Sequence, residues 1–80
     1  VNELELAMDI YPNPVQNELH IATLKQMNSI DIVNVSGEIV MHIDVKSTKE
    51  VIQLNELAAG AYQVIVKSES GIGIKSFIKR

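Results

Sequence analysis

Two prolines, Pro12 and Pro14, are separated by the single residue Asn13 in segment 11–21, and they constrain the fold more than any other feature of the sequence. Each proline holds its own backbone φ at about −65° and moves the preceding residue, Tyr11 or Asn13, towards an extended conformation. Neither proline nitrogen can donate a hydrogen bond to a β-ladder. The segment is therefore predicted to be a stiff crossover between two strands rather than the middle of a sheet.

Apolar and polar residues alternate in short stretches along the rest of the chain, which is typical of strands with one buried face. The pattern predicts seven strands, at residues 4–10, 18–22, 30–33, 39–45, 51–54, 61–67 and 72–79. Residues 34–37 and 68–71 are predicted hairpin turns, 23–28 a polar connection, 46–49 a polar turn, and 55–60 a tight turn. With many branched Ile and Val residues, this spacing favours an all-β fold, a seven-stranded antiparallel immunoglobulin-like β-sandwich with little helix.

The same alternation predicts which side chains form the core. A chain of 80 residues buries only about 60–65% of the surface that its unfolded form exposes, so this core must be compact. The predicted core residues are Leu6, Ile10, Leu19, Ile21, Ile30, Ile32, Ile43, Ile52, Leu54, Leu57, Tyr62, Val64 and Val66.

Few residues in this chain could carry chemistry. It has no cysteine, a formal net charge of −3, and as aromatic residues only two tyrosines and one phenylalanine. His20 and His42 fall on the polar faces of their strands, without the spacing of metal ligands. We therefore predict no catalytic activity, no cofactor, no metal and no nucleic-acid partner. No apolar run approaches the roughly 20 residues of a membrane span, so no membrane insertion is expected.

Four motifs follow one another along the chain and together resemble a known family. They are Tyr11-Pro12-Asn13-Pro14 with Leu19-x-Ile21, then Asn34-x-x-Gly37, then Leu57-x-x-Gly60-x-Tyr62, and finally Lys75-x-Phe77-Ile78-Lys79. The series resembles the type A C-terminal sorting domain of proteins exported by the type IX, or Por, secretion system. Val33 departs from the family pattern, which often has an aromatic residue there, and Ser76 stands where a second basic residue is frequent.

The resemblance implies that residues 1–80 are a single C-terminal sorting domain excised from a larger exported protein. Such a domain is a signal and not an enzyme. Its expected partners are the covalently linked upstream cargo, the type IX translocon, and a sortase-like protease that removes the domain at the cell surface. The implied route runs through the periplasm and across the outer membrane, ending at the cell surface or in the medium. The residues of the first three motifs are expected to be structural.

Two other functions stay open on the sequence. An adhesive or ligand-binding β-sandwich module of a surface enzyme would be favoured by a platform of exposed aromatic residues, which this chain lacks. A small enzyme would need clustered titratable groups, which the alternation scatters over several strands.

The terminal strand is where the resemblance leads us to expect the sorting signal. Lys75, Phe77 and Lys79 share one face by alternation, which sets an apolar anchor between two cations. One side of this strand is predicted to be a free sheet edge, which a partner strand would extend and which also permits strand-mediated self-association. Lys75, Phe77, Ile78 and Lys79 are therefore the predicted contacts of the translocon or sortase. The alternative is that the lysines only guard the edge against aggregation.

Overall fold

The computed structural model describes residues 7–69 and 71–80, and this part of the chain folds into antiparallel strands without any helix. The described residues form five strands, β1 (Met8–Tyr11), β2 (Glu18–Val33), β3 (Ile39–Gln53), β4 (Gly60–Ser68) and β5 (Gly71–Lys79). The all-β prediction is thus confirmed. The predicted core residue Leu6 lies outside the described residues.

Strand β2 is the centre of the sheet. Hydrogen bonding links the strands in the order β1-β2-β4-β5, and β3 pairs with β2 off this path. The first part of β2 pairs with β1, where Ile21 lies opposite Ile10, and its last part pairs with β4, where Ile32 lies opposite Val64. β3 accompanies β2 over most of its length. Strand β2, which has 16 residues, therefore pairs with three of the other four strands.

The prediction of seven strands is wrong, and the immunoglobulin-like sandwich is not confirmed, because two pairs of predicted strands are continuous. Residues 23–28, predicted as a polar connection, lie within β2, and residues 46–49, predicted as a polar turn, lie within β3. The β2–β3 ladder passes through this region with register shifts between Ala22 and Met27 and between Met27 and Ser29. Within residues 23–28 only Met27 pairs with β3, opposite Ser47, and the strands continue on both sides of this irregularity as they do at β-bulges.

The register shifts also decide which residues of β2 face the core. Leu19 and Ile21, at odd positions before the shifts, are buried, and so are Ile30 and Ile32, at even positions after them. A regular strand would turn these two pairs to opposite faces. Since the ladder slips between them, both halves of β2 contribute to a single apolar cluster.

Most of the predicted core is confirmed by burial. Leu19, Ile21, Ile30, Ile32, Ile52, Leu54, Val64 and Val66 are buried in the cluster. Ile10, Ile43, Leu57 and Tyr62 are partly buried and pack against it. The sequence prediction missed the buried residues Met8, Val15, Met27, Val33 and Phe77.

Candidate recognition surface

The proline crossover, residues 12–17, is fastened to the end of β5. The Val15 backbone N–H donates to the Ile78 carbonyl oxygen at 2.8 Å, and the Arg80 N–H donates to the Val15 carbonyl oxygen at 2.8 Å, which makes a parallel bridge between Val15 and Lys79. The side-chain oxygen of Asn13 accepts a hydrogen bond from the Ile78 N–H at 3.0 Å. Because the prolines have no N–H, Asn13 and Val15 make the contacts to the terminal strand. Both peptide bonds that precede the prolines are cis.

The second motif forms the turn between β2 and β3. The side-chain oxygen of Asn34 accepts hydrogen bonds from the backbone N–H groups of Ser36 and Glu38, each at 3.0 Å. The Gly37 N–H donates to the Asn34 carbonyl oxygen at 3.0 Å. Gly37 has a φ of 85°, which glycine adopts at little cost. Asn34 and Gly37 thus form this turn, the first through its side-chain oxygen and the second through its positive φ.

The third motif forms a tight turn that Tyr62 closes. The Tyr62 hydroxyl donates to the Ala58 carbonyl oxygen at 2.7 Å, and the Leu57 N–H donates to the Leu54 carbonyl oxygen at 3.1 Å. Gly60 follows with a φ of 156° and begins β4. The tyrosine ring also stacks on Phe77 of β5, with the ring centroids 5.7 Å apart and the planes 20° from parallel. This hydroxyl-to-backbone bond is the arrangement known as a tyrosine corner in β-sandwich domains.

The remaining residues of the first motif divide between core and surface. Leu19 and Ile21 are fully buried in the cluster. Pro12 and Pro14 are exposed in the crossover. Tyr11 is half-exposed, and its ring stacks on His20 with centroids 5.1 Å apart and an interplanar angle of 6°. The stacking places the end of β1 firmly against β2 just before the crossover begins.

All four motifs meet around one groove of about 480 Å³. The motif residues that line it are Asn13, Asn34, Gly37, Tyr62, Phe77 and Ile78, joined by Val33, Val35, Ala61, Gln63 and Ser76. Its lining is therefore apolar, amide and hydroxyl in character. The sequence identified these motif residues separately along the chain, and the strand pairing places them around one groove.

Of the four predicted contacts in the terminal strand, the structure exposes two and buries two. Phe77 is 1% exposed and Lys79 is 8% exposed, so the face that they share points into the domain. The Lys79 ammonium donates to the Arg80 carbonyl oxygen at 2.9 Å. Lys75 is exposed, and Ile78 is 46% exposed on the opposite face. The recognition role of these residues stays a prediction, and Lys75 and Ile78 are the two that a partner can reach in this folded state.

A buried carboxylate that the sequence prediction did not single out lies on β2. Asp31 is 6% exposed and faces His42 of β3 directly across the ladder. One ring nitrogen of His42 is hydrogen bonded to Asp31 and the other to Asp44, the latter at 3.0 Å. The bond to Asp31 and then the bond to Asp44 raise the pKa of His42 above its ordinary value of 6.5. The available sequence signal was a single acidic residue between Ile30 and Ile32, in a stretch otherwise apolar.

Titratable groups do not gather anywhere into a metal site within residues 7–69 and 71–80. The same part of the chain contains no helix that could cross a membrane.

Comparison with known proteins identifies a family and a similar fold. A family model described as the secretion system C-terminal sorting domain matches residues 9–80. No curated protein matches the sequence. Among solved structures, the chain is similar to PorZ of Porphyromonas gingivalis, described as an essential bacterial surface component of the type IX secretion system, with a TM-score of 0.75 and 20% identity. The match covers 91% of this chain and 11% of the PorZ chain, and at this identity it shows a shared fold.

Proposed function

The chain belongs to the family of secretion-system C-terminal sorting domains, and from this premise we propose that it directs an attached upstream protein through the translocon of a type IX secretion system. The family assignment makes it a sorting signal of that system. The observation that supports the proposed recognition by the translocon is the groove around which all four motifs meet. The residues that line this groove come from positions between 13 and 78, so the fold of nearly the whole chain determines its geometry. A recognition module requires a surface of defined geometry.

The chemistry of the groove favours binding over catalysis. The Asn34 side chain and the Tyr62 hydroxyl are hydrogen bonded to the backbone of their own turns. The Asn13 side-chain oxygen is bonded to the Ile78 N–H. Among the described residues, those lining the groove include no carboxylate, histidine, lysine or arginine. We therefore propose a non-catalytic module whose partner recognises shape, apolar surface and amide groups.

The proposed route follows from the family. The attached cargo would reach the periplasm, cross the outer membrane by way of the translocon, and end at the cell surface or in the medium. A sortase-like protease at the surface would then remove the domain. Ile78 and Lys75 are the proposed contacts, since Ile78 lines the groove and the exposed Lys75 lies in the same strand.

The test is a fusion of the 80-residue chain to a folded reporter with a periplasmic signal peptide, expressed in a host with type IX machinery. The reporter should reach the cell surface, and deletion of residues 75–80 should leave it in the periplasm. Ile78→Lys, which puts a charge into the groove, should lower the surface signal at least about tenfold, as the loss of a central interface contact does.

Ile39→Lys is the matched control, because Ile39 is 61% exposed and does not line the groove. This variant should be exported like the unchanged fusion. Thermal unfolding of the purified domains checks that both variants fold. Export of Ile78→Lys at the unchanged level would show that the groove is not the recognised surface. Surface delivery of the fusion that lacks residues 75–80 would move the signal elsewhere in the chain.

A further inference from the structure

Strand β3 lies at an edge of the sheet. Among the described residues, it pairs with β2 alone, and no other strand lies along its second side. No residue from 39 to 49 is buried. In contrast, Ile30 and Ile32 of β2, which lie directly opposite Ile43 and Met41, are fully buried. The exposure of this part of β3 therefore comes from its unpaired side.

The two faces of β3 differ in character along this edge. On one face, Met41, Ile43 and Val45 are partly buried and pack against the core cluster. On the other face, His42 and Asp44 are exposed, and a ring nitrogen of His42 is hydrogen bonded to Asp44 at 3.0 Å. The edge thus combines an incompletely covered strip of core with a basic and an acidic side chain two residues apart.

We propose that a second copy of this chain occupies the β3 edge, with residues 41–45 of the two copies paired antiparallel about a two-fold axis at Ile43. In this register Ile43 lies opposite Ile43 of the second copy, and His42 lies opposite its Asp44. Met41 then lies opposite Val45, so the apolar strips of the two copies join on one face. The interface is isologous, as in most dimers. The inference does not rest on the proposed function.

The backbone groups of the two edges match in this register. Along an edge strand, every second residue directs its N–H and C=O groups away from the strand that is already paired. A two-fold axis at a residue pairs each odd position with an odd position and each even position with an even one. Outward groups of one copy therefore meet outward groups of the other, and the five paired residues form about four to six backbone hydrogen bonds.

The charges of the edge favour a second copy as the occupant and Ile43 as the axis. The hydrogen bonds to Asp31 and then to Asp44 raise the pKa of His42, so the ring is positively charged at about pH 6. With the axis at Ile43, each charged ring lies opposite a carboxylate of the other copy, which is a favourable cross-strand pair. An axis at His42 would set the two rings against each other, and an axis at Asp44 would do the same with the two carboxylates.

The edge also has space for the side chains of a second copy. A groove of about 490 Å³ is lined by Asn28, Asp44, Val45 and Lys46. The pairing places Met41 of the second copy beside Val45, where its flexible side chain can fill part of this groove. The β2–β3 register is regular from Met41 to Asp44 and shifts on both sides of this stretch, so most of the paired segment is a regular strand.

The first test is sedimentation equilibrium of the 80-residue chain at about pH 6, from about 1 to about 500 µM. A pairing of five residues makes a small interface, so we expect a dissociation constant of about 100 µM. Asp44→Lys sets an ammonium group against the charged His42 ring of the other copy and should raise the constant at least about tenfold. Asp9→Lys is the matched control, because it makes the same change of charge at an exposed residue of β1 and should leave the constant unchanged.

Thermal unfolding of the purified variants checks that each one is folded under these conditions. A monomeric unchanged chain would overturn the proposal, and so would equal dissociation constants for Asp44→Lys and the unchanged chain. An equal loss in Asp9→Lys would assign the effect to net charge and would also count against the β3 edge.

The second test reads the register without a charged variant. The chain has no cysteine of its own, so Ile43→Cys introduces a single thiol at the axis. With oxidised glutathione, this variant should form a covalent homodimer, because directly opposite residues have Cα atoms about 4.5–5.5 Å apart, within disulfide range.

Met41→Cys is the matched control on the same face of the same strand. Alone it should cross-link at least about fivefold less than Ile43→Cys, since the two copies of residue 41 lie about 13 Å apart along the strands, at about 3.3 Å per residue. Mixed with Val45→Cys, it should form a covalent heterodimer. Equal cross-linking of Ile43→Cys and Met41→Cys when each is alone would refute this register.

Discussion

The side-chain oxygen of Asn13 accepts a hydrogen bond from the backbone N–H of Ile78 at 3.0 Å, joining residues that are 65 positions apart. This bond lies beside the Val15–Lys79 bridge and closes the sheet edge over the last residues of β5. The first and last motifs of the chain are thereby parts of one structure.

Asn13→Ala should lower the free energy of unfolding by about 0.5–1.5 kcal/mol, the usual net value of one hydrogen bond. Asn13→Asp is the matched control, because it keeps an acceptor oxygen in the same place and should retain most of the stability at neutral pH. Urea unfolding measures both variants. Equal stability of Asn13→Ala and the unchanged chain would mean that water replaces the bond without loss.

Tyr62→Phe should also cost about 0.5–1.5 kcal/mol, because it removes the hydrogen bond to the Ala58 carbonyl oxygen while it keeps the ring that stacks on Phe77. Tyr11→Phe is the comparison, since Tyr11 is 51% exposed and its ring stacking on His20 also survives the change. Thermal and urea unfolding should show a clear loss only for Tyr62→Phe. A similar loss for both would assign the effect to the general removal of a hydroxyl and not to the tyrosine corner.

Leu19→Ala should destabilise the domain by about 2–4 kcal/mol, because the lost methyl groups leave a cavity in the core. Leu24→Ala is made in the same strand at a residue that is 82% exposed, and it should change the stability by less than about 0.5 kcal/mol. Denaturant unfolding with the two variants in parallel compares them directly. If both changes had the same small effect, the assignment of the faces of β2 would be wrong.

The stability of the domain should depend on the protonation of His42. Its pKa is raised in the folded state, chiefly by the hydrogen bond to Asp31 and then by that to Asp44, so folding favours the protonated ring. This stabilisation is fully present below the unfolded pKa of about 6.5 and is lost as the pH rises through the folded pKa. The melting temperature should therefore fall as the pH is raised from about 6 through that range, and His42→Gln should remove this part of the pH dependence.

An NMR titration of the His42 ring gives a direct measurement of the same effect. Asp31→Asn removes the larger cause of the shift, so the midpoint for His42 should move down in this variant. Identical midpoints in the unchanged chain and in Asp31→Asn would show that Asp31 does not stabilise the protonated ring.

Several local features follow from the sequence because their causes are local. Asn34 and Gly37 form a turn because a short amide side chain can bond to the backbone two and four residues on, and because glycine accepts a positive φ. Alternation correctly groups Leu19 with Ile21 and Ile30 with Ile32 on buried faces. These results need no knowledge of the neighbouring strands.

The strand count could not be obtained in this way. Polar residues between 23 and 28 are typical of a connection, yet they lie within β2, whose ladder with β3 resumes at Met27 opposite Ser47 and continues from Ser29. A β-bulge depends on where the ladder with the other strand must slip, and that information belongs to the pairing and not to the segment itself. For the same reason the burial of Met27 was missed.

The sequence by itself determined the all-β class, the turns at residues 34–37 and 55–60, and the sets of residues that share a strand face. Only the tertiary structure decided which face of β5 is buried, because both faces carry large apolar side chains: Phe77 on one, and Ile72, Ile74 and Ile78 on the other. Alternation assigns side chains to faces but cannot distinguish inside from outside when both faces are apolar. That choice depends on contacts such as the stacking of Tyr62 on Phe77. It turns Phe77 and Lys79 inwards and leaves the three isoleucines of β5 exposed.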